Sequence, residues 1–133
     1  MTDIFSTKLA TDKEQAQELI KSGILADSCD MYFYSDSNCP QVRYRKTAND
    51  FDLDCYEPEH GNLPCWSLTR LIEFLPDCHL SINTKSQINL YQFTGTAIGG
   101  EKLSTHWCQE VVDAAVEMVL LMQERKSLRC RFI

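Results

Sequence analysis

With 133 residues, of which 44% are apolar and 24% charged, the chain has the size and balance of one soluble domain that can bury a core without disulfide staples. Nineteen acidic against thirteen basic side chains leave a net charge of −6, a sign that opposes a phosphate backbone and argues against a general nucleic-acid binder. MTDIFSTKLATDKEQ at the start has no basic stretch leading into an apolar run, and MVLLM at 118–122 is far too short for a bilayer, so the expectation is a cytoplasmic protein with no membrane partner.

Thr11, Asp12, Lys13 and Glu14 read as a capping box, with the Thr11 hydroxyl and the Glu14 carboxylate each serving the other's amide. Ala16, Leu19 and Ile20 then share a helical face, and Gly23 suits a left-handed residue with Ile24 closing back on Leu19. The first helix is expected over about 12–22. MYFYS at 31–35 and QVRYRK at 41–46 are rich in strand formers or alternate, and DSNCP between them supplies turn chemistry, which together predict a hairpin. From 47 to 64 the periodicity vanishes and acidic residues gather, so this stretch reads as a loop with room for one irregular strand.

Ser67 is a good N-cap for a short helix whose apolar face is Leu68, Leu71, Ile72 and Leu75, and Pro76 stops it. HLSIN at 79–83 and INLYQFTG at 88–95 suggest a second hairpin, followed by a turn at Gly99-Gly100 and one more strand. A third helix is expected from about Cys108 to Arg125. Glu110, Asp113, Glu117 and Glu124 form its polar stripe, and the rest of its circumference is apolar. So broad an arc demands deep burial or a second packing partner. Arg125, Lys126 and Arg129 complement its C-terminal dipole. The order predicts a single α+β domain: a small antiparallel sheet of about five strands, two hairpins plus one strand, with three helices packed on it and loose ends at 1–10 and 127–133.

Pro64, Trp66, Ser67 and Leu68 before a Leu-rich helix ending at Pro76, together with Asp113, Ala114, Ala115, Glu117 and Met118, resemble a family of small uncharacterised proteins of gut Bacteroidales and related bacteria, associated with prophages and mobile elements. The resemblance spans most of residues 11–126. It implies no catalytic residue and no cofactor. Cys65 stands where that family looks more usually to carry a small residue such as Ala.

The sharpest chemical candidate is a zinc knuckle. Asp52, Cys55, His60 and Cys65 stand at knuckle-like spacing, and carboxylate, thiolate and imidazole all bind Zn²⁺. Against it, Asp replaces the first Cys, the glycine pattern is absent, and Pro58 and Pro64 restrict the wrapping. An acidic loop with incidental Cys and His is the plainer reading. Asp50, Asp52 and Asp54 imitate an EF-hand opening but place Cys55 and Gly61 where Gly and a bidentate Glu are required. His106 and Cys108 invite a Cys/His nucleophile, with no evident orienting group. The basic stretch RKSLRCRFI reads as helix-end charge. Seven cysteines, an odd count without CxxC, read as free thiols.

Trp66 and Tyr56 are candidates for an interaction surface, although for Trp66 an anchor of the loop onto the core is the plainer reading. The functional expectation is a non-enzymatic accessory protein of a prophage or mobile element that acts by binding a protein partner, with no cofactor. The alternatives are a small metal-binding protein or enzyme centred on 52–65, and self-association as a homodimer through the third helix.

Overall fold

The computed structural model describes residues 8–34, 41–44, 63–84 and 87–129. In chain order the elements are α1 (Lys13–Lys21), a 3-10 turn (Ala26–Ser28), β1 (Met31–Tyr34), β2 (Gln41–Tyr44), β3 (Leu63–Cys65), α2 (Leu68–Phe74), β4 (Cys78–Asn83), β5 (Leu90–Thr96), β6 (Lys102–Ser104) and α3 (Val111–Glu124). The class is α+β, as the pattern of elements predicts. In place of one sheet of about five strands, the described residues form two antiparallel sheets of three, ordered β2-β1-β3 and β4-β5-β6. The sixth strand is β3, at the end of the stretch read as a loop with room for one irregular strand. Leu63, Pro64 and Cys65 pair with Phe33, Tyr32 and Met31. Pro64 has no amide to give a ladder, and it is tolerated because β3 lies at the sheet's edge.

The capping box of α1 sits one residue later than expected. Asp12 is the N-cap: its Oδ1 accepts from the Gln15 amide at 2.8 Å, and Gln15 Oε1 accepts from the Asp12 amide at 3.1 Å. Thr11 is unavailable for capping because it is buried and its hydroxyl accepts from the Trp66 amide. The other end closes as predicted. Gly23 has φ 107°, its amide donates to Ile20 and the Ile24 amide donates to Leu19, a complete Schellman motif.

Ser67 caps α2, accepting from the Arg70 amide at 3.1 Å while its own hydroxyl donates to Asp30. The buried face differs from the expected one. Leu71 and Phe74 point into the core, and Ile72 is 44% exposed. The residue before a proline is pushed out of the helical region, so Leu75 is extended (φ −82°, ψ 143°) and enters the core from outside the helix. The seven-residue spacing from Leu68 to Leu75 therefore does not describe one helical face.

Helix α3 begins at Val111, after Cys108 has bridged to Tyr91 of β5. It packs against α1, α2, β5 and β6. Val112, Ala114, Ala115, Val116, Met118, Val119 and Met122 are all buried. The wide apolar arc is thus consumed within the chain, which removes the reason for expecting a homodimer through this helix. The arc fits onto β5 because Gly95 has no side chain: a Cβ there would lie 2.6 Å from Cys78 Sγ and 3.1 Å from Met122 Cε. Arg125 caps the helix end. Lys126 adopts φ 52°, and the Lys126 and Ser127 amides donate to Gln123 and Met122 in a second Schellman motif.

At the chain's ends, residues 1–7 and 130–133 lie outside the described part, and the segments just inside them are tied down. Lys8 reaches Asp113 Oδ1 at 2.7 Å and Asp12 Oδ2 at 2.9 Å. Ser127 Oγ accepts from the Ile98 amide at 2.9 Å, and the Arg129 amide donates to the Phe74 carbonyl at 2.9 Å. Cys29, Cys65, Cys78 and Cys108 are free thiols. Among the described residues no helix is long and apolar enough to cross a membrane.

Candidate functional site

Asp50, Asp52, Asp54, Cys55, Tyr56 and His60 lie outside the described residues. Cys65 does not, and its setting is that of a core thiol. It is fully buried on β3, 3.5 Å from the Thr11 hydroxyl that donates to it and 3.3 Å from the Thr11 carbonyl to which it donates. Burial, with smaller contributions from Asp30 and Cys29, pushes the thiol up to about 12 against the opposing Thr11 hydrogen bond. A metal ligand must be the thiolate, so this environment works against Cys65 as one. Among the described residues no group of three or more His, Cys, Asp or Glu could hold a metal ion.

Trp66 is fully buried, and its Nε1 donates to Ser28 Oγ at 3.1 Å. It anchors the passage from β3 to α2 and presents no surface to a partner. The exposed tryptophan is the other one. Trp107 is 43% exposed, although indole is usually well covered in folded proteins.

Its presentation follows from a mismatch of strand lengths. Thr94 pairs with Ser104, and Tyr91 pairs with Cys108. Between those pairs β5 supplies Gln92 and Phe93, whereas the opposing segment supplies Thr105, His106 and Trp107. One extra residue on one side is a β-bulge, a device that breaks the in-out alternation and re-aims side chains. Here Thr105 is buried and both His106 and Trp107 face outward.

The bulge is held on every side. Thr105 Oγ1 accepts from the Phe93 amide at 3.0 Å and donates to the His106 carbonyl at 2.9 Å. Gln92 Nε2 donates to the Thr105 carbonyl at 2.9 Å. Cys108 exchanges both backbone hydrogen bonds with Tyr91, at 2.7 and 2.8 Å. From α3, Glu117 Oε1 accepts from the His106 amide at 3.0 Å and lies 2.7 Å from His106 Nδ1.

The structure brings His106 and Cys108 together around Glu117, but not as nucleophile and base. The Cys108 thiol donates to the His106 carbonyl at 3.5 Å and to Glu117 Oε2 at 3.9 Å, and neither acceptor is the imidazole. Burial first, then the nearby Glu117 and Asp113 carboxylates, raise the thiol's pKa. Carboxylates beside a thiol favour its protonated form, the opposite of what activates a cysteine. The arrangement is suited to holding Trp107 in place.

Of the basic residues after α3, Arg125 is engaged locally. Arg125 clasps Glu101 with two hydrogen bonds, at 2.8 and 3.1 Å, and its Nη1 donates to the Leu121 carbonyl at 3.0 Å. Sequence reasoning missed Trp107 because a bulge is a property of two strands in register. No family model, curated protein or solved structure matches the chain.

Proposed function

We propose that this chain is a non-enzymatic interaction protein of the cytoplasm that engages a protein partner through Trp107, in an accessory role within a prophage or mobile element. The observation that carries the reading is the half-exposed Trp107 on a bulge whose neighbours are all hydrogen-bonded. Tryptophan is enriched among the few residues that dominate binding energy. A backbone already fixed before binding lowers the ordering cost of association. The mobile-element setting rests on the motif pair around Trp66 and Asp113. The raised thiols of Cys65 and Cys108 further support binding over nucleophilic chemistry at those residues.

The test is capture at native expression, with wild type and Trp107→Ala run side by side. A protein recovered by wild type and lost with Trp107→Ala, which on purification shifts Trp107 fluorescence to shorter wavelength, is the expected result. Equal recovery by both forms, or none by either, would sink the reading.

A further inference from the structure

A second feature borders β5 where Phe93, whose amide is held by the bulge, meets the end of α2 and the start of β4. Where α2 ends, the chain turns through Pro76 and Asp77 into β4 and leaves an open cleft of about 510 Å³ beside Phe93 and Arg129. Its size falls within the roughly 300–1,000 Å³ typical of small-ligand sites. The walls are Ile72, Leu75, Cys78 and Phe93. Ile72 stands 44% exposed there because the short helix turns it away from the core. Cys78 adds no charge: burial, then Asp77, raises its thiol against the opposing pull of Arg129.

Arg129 supplies the cation at the cleft. Its backbone is fixed by the hydrogen bond from its amide to Phe74. Its Nη2 stands 3.9 Å from Asp77 Oδ1, the outer limit of an ion pair, and the Asp77 side chain is fully in solvent. So loose and exposed a pair contributes almost nothing, and a carboxylate that reaches the guanidinium with two parallel hydrogen bonds would replace Asp77 at little cost.

We propose that this cleft binds a small organic acid with an apolar body, its carboxylate on Arg129 and its body against Ile72, Leu75 and Phe93. The site is separate from Trp107 and stands or falls independently of the partner reading. Three properties select that class together: a loosely paired cation at the cleft, apolar side chains of Leu75 and Phe93 in its wall, and an isoleucine half in water that a ligand's body would cover.

The test is a titration of the full chain with sodium octanoate, followed by amide chemical shifts, with octan-1-ol and acetate as arms that carry the body alone and the charge alone. Octanoate should move the amides of Cys78 and Phe93, and the other two should bind at least about tenfold more weakly, as expected when a charged hydrogen bond or the apolar contact is removed. Arg129→Gln should weaken octanoate about tenfold or more, and Ile72→Ser should weaken it as well. Both sites are exposed, and unchanged circular dichroism and Tm will show that the fold is intact. Lys102→Gln, a cation removed from the opposite face of the same sheet, should leave binding unchanged. No shift up to about 10 mM, where even a millimolar ligand would saturate, overturns the proposal. So does equal binding of octanol, or full binding by Arg129→Gln.

Discussion

Thr11 and Trp66 are joined by two hydrogen bonds that run in opposite directions. The Thr11 amide donates to the Trp66 carbonyl at 2.9 Å, and the Trp66 amide donates to Thr11 Oγ1 at 3.1 Å. Both residues are buried, so the hydroxyl is the Trp66 amide's replacement for water. Thr11→Val keeps the shape and removes the acceptor. It should destabilise the protein by about 1–3 kcal/mol, the cost of a buried donor left unpaired. The expected signature in urea is a lower midpoint at an unchanged slope.

Cys65 gives a dependence on alkaline pH. Its thiol is raised from 9.0 to about 12 in the folded protein. The folded state therefore holds a proton that the unfolded state releases, and stability that is whole below about pH 9 should decline as pH rises toward 12. Cys65→Ala should flatten that limb of the profile. At neutral pH, iodoacetamide should label Cys65 only after unfolding, as read by peptide mass spectrometry.

At Gly95 of β5, Met122 of α3 and Cys78 of β4 leave no room for a side chain. Gly95→Ala forces the new Cβ against Cys78 Sγ and Met122 Cε, and overpacking of this kind costs about 1–3 kcal/mol. Combining it with Cys78→Ala, which removes the nearer obstacle, should recover part of the loss. A double-mutant cycle that showed strict additivity would mean the two side chains do not compete for space.

Lys126 occupies the left-handed position that ends α3, with φ 52°. A side chain there costs roughly 1–2 kcal/mol relative to glycine before the greater freedom of glycine in the unfolded chain is counted. Lys126→Gly should therefore raise stability by about 0.5–1 kcal/mol, seen as a higher Tm.

What the sequence makes legible here is local. Gly23 and Ile24 announce the end of α1, Ser67 the start of α2, and the long apolar arc of α3 its burial. What it hides depends on residues far apart in the chain. Cys65-Trp66 and Trp107-Cys108 look alike as sequence. Trp66 is inside because Thr11 and Ser28 receive it, and Trp107 is outside because a bulge turns it there. Ile72 is a different case, since Pro76 was visible and its effect on Leu75 follows from proline geometry alone. β3 was obscured by Pro64, a residue that argues against a strand anywhere but at an edge.

The placement of α3 also constrains how the molecule comes to exist. It is the last element among the described residues, yet α1, α2, β5 and β6 all lean on it. Lys8 waits for Asp113 across 105 positions of chain. During synthesis the apolar sides of α2 and β5 emerge before the helix that covers them. Contacts this distant in sequence make for slow folding. Until α3 arrives, a nascent chain of this kind depends on whatever shelters exposed hydrophobic surface in its cell.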